Sequence, residues 1–269
     1  MRTLISVLVI LLFSTATYAA EGSRPWMQLV AEGAIPGYSV VEKFGENPEI
    51  DIATDPEDVW SHGGLYTFST TADIDSIVSD DADDDQEITV QGLDEDWELV
   101  TQTVTLNGQT RVALSTDLIR CFRMWNADTT ALEGDVHVYV DSTISSGVVA
   151  DATKIRSGIL TGSGQTEMAI YTVPAGYIGY LYQGYTGLSR GSYQAAAEFV
   201  PAIREFGGVW RTVFRISEIG QGTSAFTYTY PIPRPLAAKT DIKVMCVKVT
   251  ADDTGVFAGF TIVLKYIGE

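Results

Sequence analysis

The sequence predicts an all-β fold: two antiparallel β-sandwich or jelly-roll units that follow an N-terminal signal-like segment. Three observations predict it. Apolar and polar residues alternate with a period of two through runs such as residues 86–93 and 135–140. Turn chemistry, including Asn107-Gly108 and Pro174-Ala175-Gly176, punctuates the chain between such runs. No stretch holds a 3.6-residue apolar period for more than three turns. Sheets of this kind each have one face to bury, so they pack in pairs.

Taken in order, residues 24–30 (RPWMQLV) form the first apolar segment and Gly33 to Gly37 turns the chain. Residues 38–44 (YSVVEKF) read as a strand. Residues 45–64 carry loop chemistry in their Pro, Asp, Asn and Gly, with Trp60 as an anchor to the core. Strands are then expected at 65–68, 74–79, 86–93, 97–106, 109–114, 119–125 and 135–140. Residues 141–164 are rich in Ser, Thr and Gly, and a boundary is expected near residues 145–165. Beyond it, strands are expected at 167–172, 177–185, 193–204, 209–216, 225–230, 242–249 and 256–266. Residues 193–204 are rich in alanine, but Pro201 breaks a helix interior and Ala195, Ala197 and Phe199 fit period two. The expected division is a signal peptide or anchor at 1–20, an acidic β-sandwich at 21–150 and a second sandwich or jelly roll at 151–269.

Charge supports that division. The chain of 269 residues has a formal net charge of -18. Between Glu42 and Glu98 there are 19 acidic residues and one basic residue, whereas residues 151–269 hold 9 acidic and 11 basic. A surface this acidic repels phosphate backbones, so no nucleic-acid partner is expected.

At the N-terminus, Met1-Arg2-Thr3 is a short positive start, residues 4–13 are apolar, and residues 14–20 are a small-residue exit. That is the layout of a secretory signal peptide, cleaved after Ala19 or Ala20, with an uncleaved anchor as the competing reading. Export would permit a disulfide, and Cys121 and Cys246 are the two cysteines that would form it. Each also sits among large apolar residues, as a buried free thiol does.

Candidate chemistry is sparse. Asp80, Asp81, Asp83, Asp84 and Asp85 place hard oxygens densely enough to suit Ca²⁺, with Asp80, Asp81, Asp83 and Asp85 as the ligand set and Asp94-Glu95-Asp96 as a further source. The run lacks the central glycine of an EF-hand loop, and Gly92 stands where its last glutamate would be. The alternative is a solvated loop tip whose charge discourages edge-to-edge pairing. Gly187-Leu188-Ser189-Arg190-Gly191 matches G-x-S-x-G, yet both histidines, His62 and His137, precede it, and a hairpin loop accounts for the glycines. His62 and His137 have no partner at ligand spacing and read as surface residues. Nothing else indicates an enzyme: there is no phosphate-cradling loop, CxxC or HExxH.

Several segments, in order, cover most of the chain: residues 36–51 (PGYSVVEKFGENPEID), 55–60 (DPEDVW), 63–66 (GGLY), 91–94 (QGLD), 104–108 (VTLNG), 171–176 (YTVPAG), 206–210 (FGGVW) and 239–242 (KTDI). Together they resemble an uncharacterised family of β-rich virion structural proteins of tailed phages and marine viruses. The resemblance implies a non-enzymatic particle component, a capsid decoration or tail-associated subunit, whose partners are its own copies or other particle proteins. It brings no site residues with it. The signal-like start departs from it and keeps open a secreted bacterial surface or adhesive protein that binds surface glycans or neighbours through the loops around Asp80 to Asp85, with a secreted hydrolase as a third reading.

Overall fold

The computed structural model describes residues 24–190, 193–221 and 224–268. The signal-like residues 1–20 lie outside them. The chain enters through one short helix, α1 (Trp26–Ala31), which Gly33 ends at φ 72° with its N–H on the Val30 carbonyl. Trp26 anchors that helix, edge-on to Tyr38 and stacked with Tyr182.

The rest is strand. In chain order these are β1 (Tyr38–Ile50), β2 (Glu57–Asp58), β3 (Ile74–Ser79), β4 (Glu87–Leu93), β5 (Leu99–Thr105), β6 (Val112–Leu118), β7 (Arg120–Asn126), β8 (Val136–Val140), β9 (Ile144–Ser145) and β10 (Val148–Val149). They continue as β11 (Ile155–Ile159), β12 (Ile170–Thr172), β13 (Tyr177–Arg190), β14 (Tyr193–Arg204), β15 (Arg211–Thr212), β16 (Ile216–Gln221), β17 (Ser224–Leu236), β18 (Asp241–Val249) and β19 (Thr254–Tyr266). The ladders between them are antiparallel. The protein is all-β, as the alternation of its residues requires.

Two pairs of sheets organise the strands. One sheet runs β11-β8-β3-β6 and another β5-β4-β7; between them lies a core of Ile74, Ile77, Ile88, Val90, Leu118, Met124, Val136, Val138 and Ile159, all without solvent exposure. Each such side chain contributes roughly 1.5–3 kcal/mol by leaving water. The outer pair is β1-β19-β13-β17 and β12-β18-β14-β15, with β16 beside β14 and β2 beside β18. Its core includes Ile50, Val59, Phe199, Ile242, Phe260 and Ile262, and it continues onto Val78, Leu93, Phe122 and Tyr139 of the other strands.

The two cores are nested along the chain. Strands β3 to β11 form a body set between β2 and β12, while β1 pairs with β19 from Tyr38↔Lys265 to Ile50↔Thr254, and β2 pairs with β18. A cut at residue 150 would leave β1 and β2 paired with strands on its far side.

Several local expectations are corrected. Residues 45–50, expected as loop, continue β1. Gly45 reads as turn chemistry but answers to packing: a Cβ there would lie 2.4 Å from the Ala169 nitrogen and 2.5 Å from the Val59 carbonyl. Residues 65–68, expected as strand, join no ladder; the Tyr66 N–H is taken by the Asp58 carboxylate at 2.7 Å. Of residues 209–216, only Arg211–Thr212 and the start of β16 are strand, because residues 205–210 swing out as a loop.

Of the two readings of the cysteines, the free-thiol one holds: Cys121 on β7 and Cys246 on β18 are unpaired and buried. Burial pushes both thiols up to about 12, which leaves them inert.

Candidate functional site

The most chemically loaded surface lies where the inserted body meets the β14–β18 sheet. The register of β14 on β18 sets Arg204 opposite Asp241, and that of β12 on β18 sets Thr172 opposite Asp241. Arg120, the first residue of β7, reaches the same carboxylate from the other body. Its Nε donates to Asp241 Oδ1 at 3.0 Å, and Arg204 Nη2 donates to Oδ2 at 2.6 Å. Thr172 adds a hydroxyl donor at 2.7 Å. Arg120 Nη1 is closed off by the Ser69 and Ile119 carbonyls. A buried carboxylate is stable in its charged form when donors surround it in this way.

Aromatic rings are interleaved with the cations. Arg120 lies over Phe68 and Trp97, Arg204 over Phe68 and Trp210, and Lys239 over Trp97 and Phe206. Phe68 meets Trp210 at 5.1 Å, and Trp97 meets Phe206 edge-on at 5.3 Å. Behind Trp210, Lys243 donates to Asp58 at 2.9 Å. Burial raises the Asp58 carboxyl above its ordinary value, against the pull of Lys243. Phe68, Trp97, Arg120, Arg204 and Phe206 line an open cleft of about 310 Å³.

Trp97 in the cleft and Lys239 beside it hold left-handed backbone, at φ 67° and φ 63°. For bulky residues that conformation costs on the order of 1–3 kcal/mol and persists only where the surroundings enforce it. Asp94 enforces the first: its Oδ1 accepts the N–H groups of Asp96 and Glu98, and its carbonyl accepts that of Trp97. Asp94, a candidate further source of calcium oxygens, is thus engaged in shaping a turn. None of this cleft was singled out from the sequence. The signal available was loop chemistry bracketing aromatic residues, as in Phe206-Gly207-Gly208-Val209-Trp210.

The predicted acidic site divides. Asp84 is fully buried and accepts from Ser79 Oγ, Glu133 N and Gly134 N, while Asp80 Oδ1 accepts from Asp135 N at 2.7 Å. These two pin the loop to the strand that follows Gly134. Asp81 and Asp83 point outward and come within 4.8 Å of Glu133, which the sequence reading had not included; Asp85 is not part of that group. Glu49, Asp51 and Asp253 form a second such group. Exposed carboxylates gather in this way without an ion, so neither group alone defines a metal site.

The histidines, expected at the surface, pack against each other with ring centroids 5.3 Å apart. The pleat that turns His137 away from the inner core turns it toward the loop carrying His62, so period two gave its face correctly and its exposure wrongly. Burial holds both below the usual imidazole value, His137 at about 4.

Ser189 lies inside β13 rather than in a hairpin loop, and no strand-to-helix elbow surrounds it. Gly187 is a packing glycine, since a Cβ would stand 2.2 Å from the Phe257 ring.

Among the described residues, no helix is long and apolar enough to cross a membrane. No family model matches the chain, and no curated protein matches it either. Among solved structures, it is similar to the infectious bursal disease virus VP2 subviral particle at 11% identity and a TM-score of 0.22, over 90% of this chain and 82% of that one. It is similar to the infectious bursal disease virus Gx strain structure at 10% identity and a TM-score of 0.20, over 86% and 77%. At these TM-scores the likeness carries no argument about what this chain does.

Proposed function

We propose that this protein is a non-enzymatic virion structural protein, a capsid decoration or tail-associated subunit that works through assembly contacts with copies of itself. The observation that carries the reading is β17. It is the edge of its sheet, and it leaves Phe226 at 42% and Ile232 at 83% exposure, beside Ile219 of β16 at 75%. Large apolar side chains gathered on one edge mark an interaction surface. Ser224–Leu236 also carries no carboxylate, so in a chain of net charge -18 it is a strip where two copies can meet without bringing carboxylates together.

Pro231, Pro233 and Pro235 lack the N–H that strand addition needs, and the ladder with β13 slips in the same stretch. Contact through side chains is therefore favoured over runaway edge pairing. The resemblance to β-rich virion proteins supports the same reading. The location that follows is the particle. Export depends on residues 1–20, and mass spectrometry of the mature N-terminus tests it.

The experiment is sedimentation velocity across a concentration series, with electron microscopy of the heavy fractions. Wild-type protein is expected to associate, and the double variant Phe226→Glu, Ile232→Glu to stay monomeric with an unchanged melt. A wild type that remains monomeric at every concentration overturns self-assembly through this edge. The interleaved cations and aromatics of the cleft favour a second reading, a secreted surface or adhesive protein that binds glycans.

A further inference from the structure

We infer that the cleft between Trp97 and Phe206 binds a carboxylated sugar ring, a pyranose of the uronic or sialic acid class. The inference stands apart from the assembly surface on β16 and β17, which shares no residue with it.

The cleft has cationic capacity left over. Arg120 and Arg204 share one carboxylate, Asp241, and Lys239 adds a third cation over the Trp97 and Phe206 rings at the cleft's edge. Arg204 engages Asp241 through Nε and Nη2, its side chain remains 28% exposed, and among the described residues Nη1 has no acceptor. Lys239 has no carboxylate partner among the described residues and sits over Trp97 and Phe206, 5.5 and 5.4 Å from the ring centroids. Glu205, next along the chain, is drawn away to Arg211. A ligand carboxylate would meet Arg204 Nη1 and the Lys239 ammonium as charge-assisted hydrogen bonds.

The aromatic walls define what else the ligand carries. Phe206 is 65% exposed, so it offers a large ring to solvent beside a charged slot. Gly207 follows it with open space where a side chain would stand, which leaves that approach unobstructed. The C–H face of a pyranose suits such a ring, and a cleft of about 310 Å³ is at the small end for bound ligands, enough for one saccharide unit. Polyanions fit less well. The surplus here is two positive charges inside a chain of net charge -18, so a nucleic acid or polyphosphate would be repelled by the rest of the surface.

The test is titration of the full chain, followed by tryptophan fluorescence and isothermal calorimetry, with four probes: glucuronate, glucose, acetate and inorganic phosphate. Saturable binding of glucuronate is expected, with glucose and acetate each weaker by about tenfold or more, because each supplies half of the recognition. Phosphate is expected to bind no better than acetate. Lys239→Gln and Phe206→Ala are each expected to weaken glucuronate about tenfold. N-acetylneuraminate then distinguishes the two sugar classes.

Neither variant removes a protein ion pair, so the melting temperature is expected to hold. If it falls for Lys239→Gln, Lys239→Met, which keeps the length of the side chain and removes the charge, replaces it and is expected to weaken glucuronate by the same factor. Absence of glucuronate binding overturns the inference, as does acetate or phosphate binding equal to glucuronate, or glucuronate affinity untouched by both variants. Sedimentation of the same variants is expected to match wild type, which separates failure of this site from failure of the assembly surface.

Discussion

Arg120 and Asp241 stand 121 positions apart in the chain and meet at 3.0 Å, the arginine from the inserted body and the aspartate from the outer sheet. With Arg204 also bonded to the carboxylate, these direct hydrogen bonds tie the two bodies together. Both Arg120 and Asp241 are about 5% exposed, so the ion pair cannot be solvated if half of it is removed.

Asp241→Ala should therefore cost about 3–5 kcal/mol, because it strands the buried Arg120 guanidinium and removes the partner of the more exposed Arg204. Urea denaturation followed by fluorescence measures it. A loss under about 1 kcal/mol would show that water reaches the arginines and that the cleft is looser than its hydrogen bonds indicate.

Acid should loosen the His62–His137 contact. His137 titrates at about 4 in the fold, below its ordinary 6.5, because burial disfavours the cation. Between those values the unfolded chain binds the extra proton, so stability is complete above pH 6.5 and falls as pH drops toward 4, by at most about 1.4 kcal/mol per pH unit for one proton. Melting curves of wild type and His137→Asn compared over that window check it: the variant is expected to show the shallower slope.

Lys43 works in a different window. Its ammonium is buried and donates to the Phe122 carbonyl, and burial, followed by the nearby Arg123 charge, lowers it to about 7. The unfolded lysine keeps its proton up to about 10.5, so this residue makes stability rise from pH 7 to 10.5. Lys43→Met should raise stability at pH 7 by on the order of 1–3 kcal/mol and flatten that rise. Differential scanning calorimetry at pH 6, 8 and 10 reads both effects.

In the G-x-S-x-G segment the two conspicuous residues should behave in opposite ways. Gly187→Ala drives a methyl group into the Phe257 ring and the Ser224 carbonyl, and is expected to destabilise by about 1–3 kcal/mol. Ser189 Oγ is buried with no hydrogen-bond partner among the described residues, so Ser189→Ala should be neutral or stabilising. Esterase activity lost in Ser189→Ala would contradict the packing account of both residues.

The strands with clean alternation were legible in the sequence, β4 and β8 above all, because one face of each meets a core and the other does not. Even the alanine-rich β14 was legible through Pro201 and its period of two. What misled was composition. Glycine at 45 stood for close backbone approach and not for a turn, and aromatic residues at 65–68 lay in an extended loop held by Asp58. The cleft was not legible because its parts come from five separate stretches of chain: the registers of β12 and β14 on β18 align Thr172, Arg204 and Asp241, and only the packing of the inserted body brings Phe68, Trp97 and Arg120 to them. Of the acidic run, density was visible but direction was not: Asp84 turns in and Asp81 turns out, which spacing alone does not say.

The partnership of β1 with β19 has a consequence for biosynthesis. As the chain leaves the ribosome, β3 to β11 have every partner of their own sheets and can close their core early. β1 has nothing to pair with until more than two hundred further residues have been made, so its Tyr38–Ile50 edge waits unpaired until β19 emerges. The outer sheet is the last structure to form, and the slow step in maturation should be its closure around a body that has already folded.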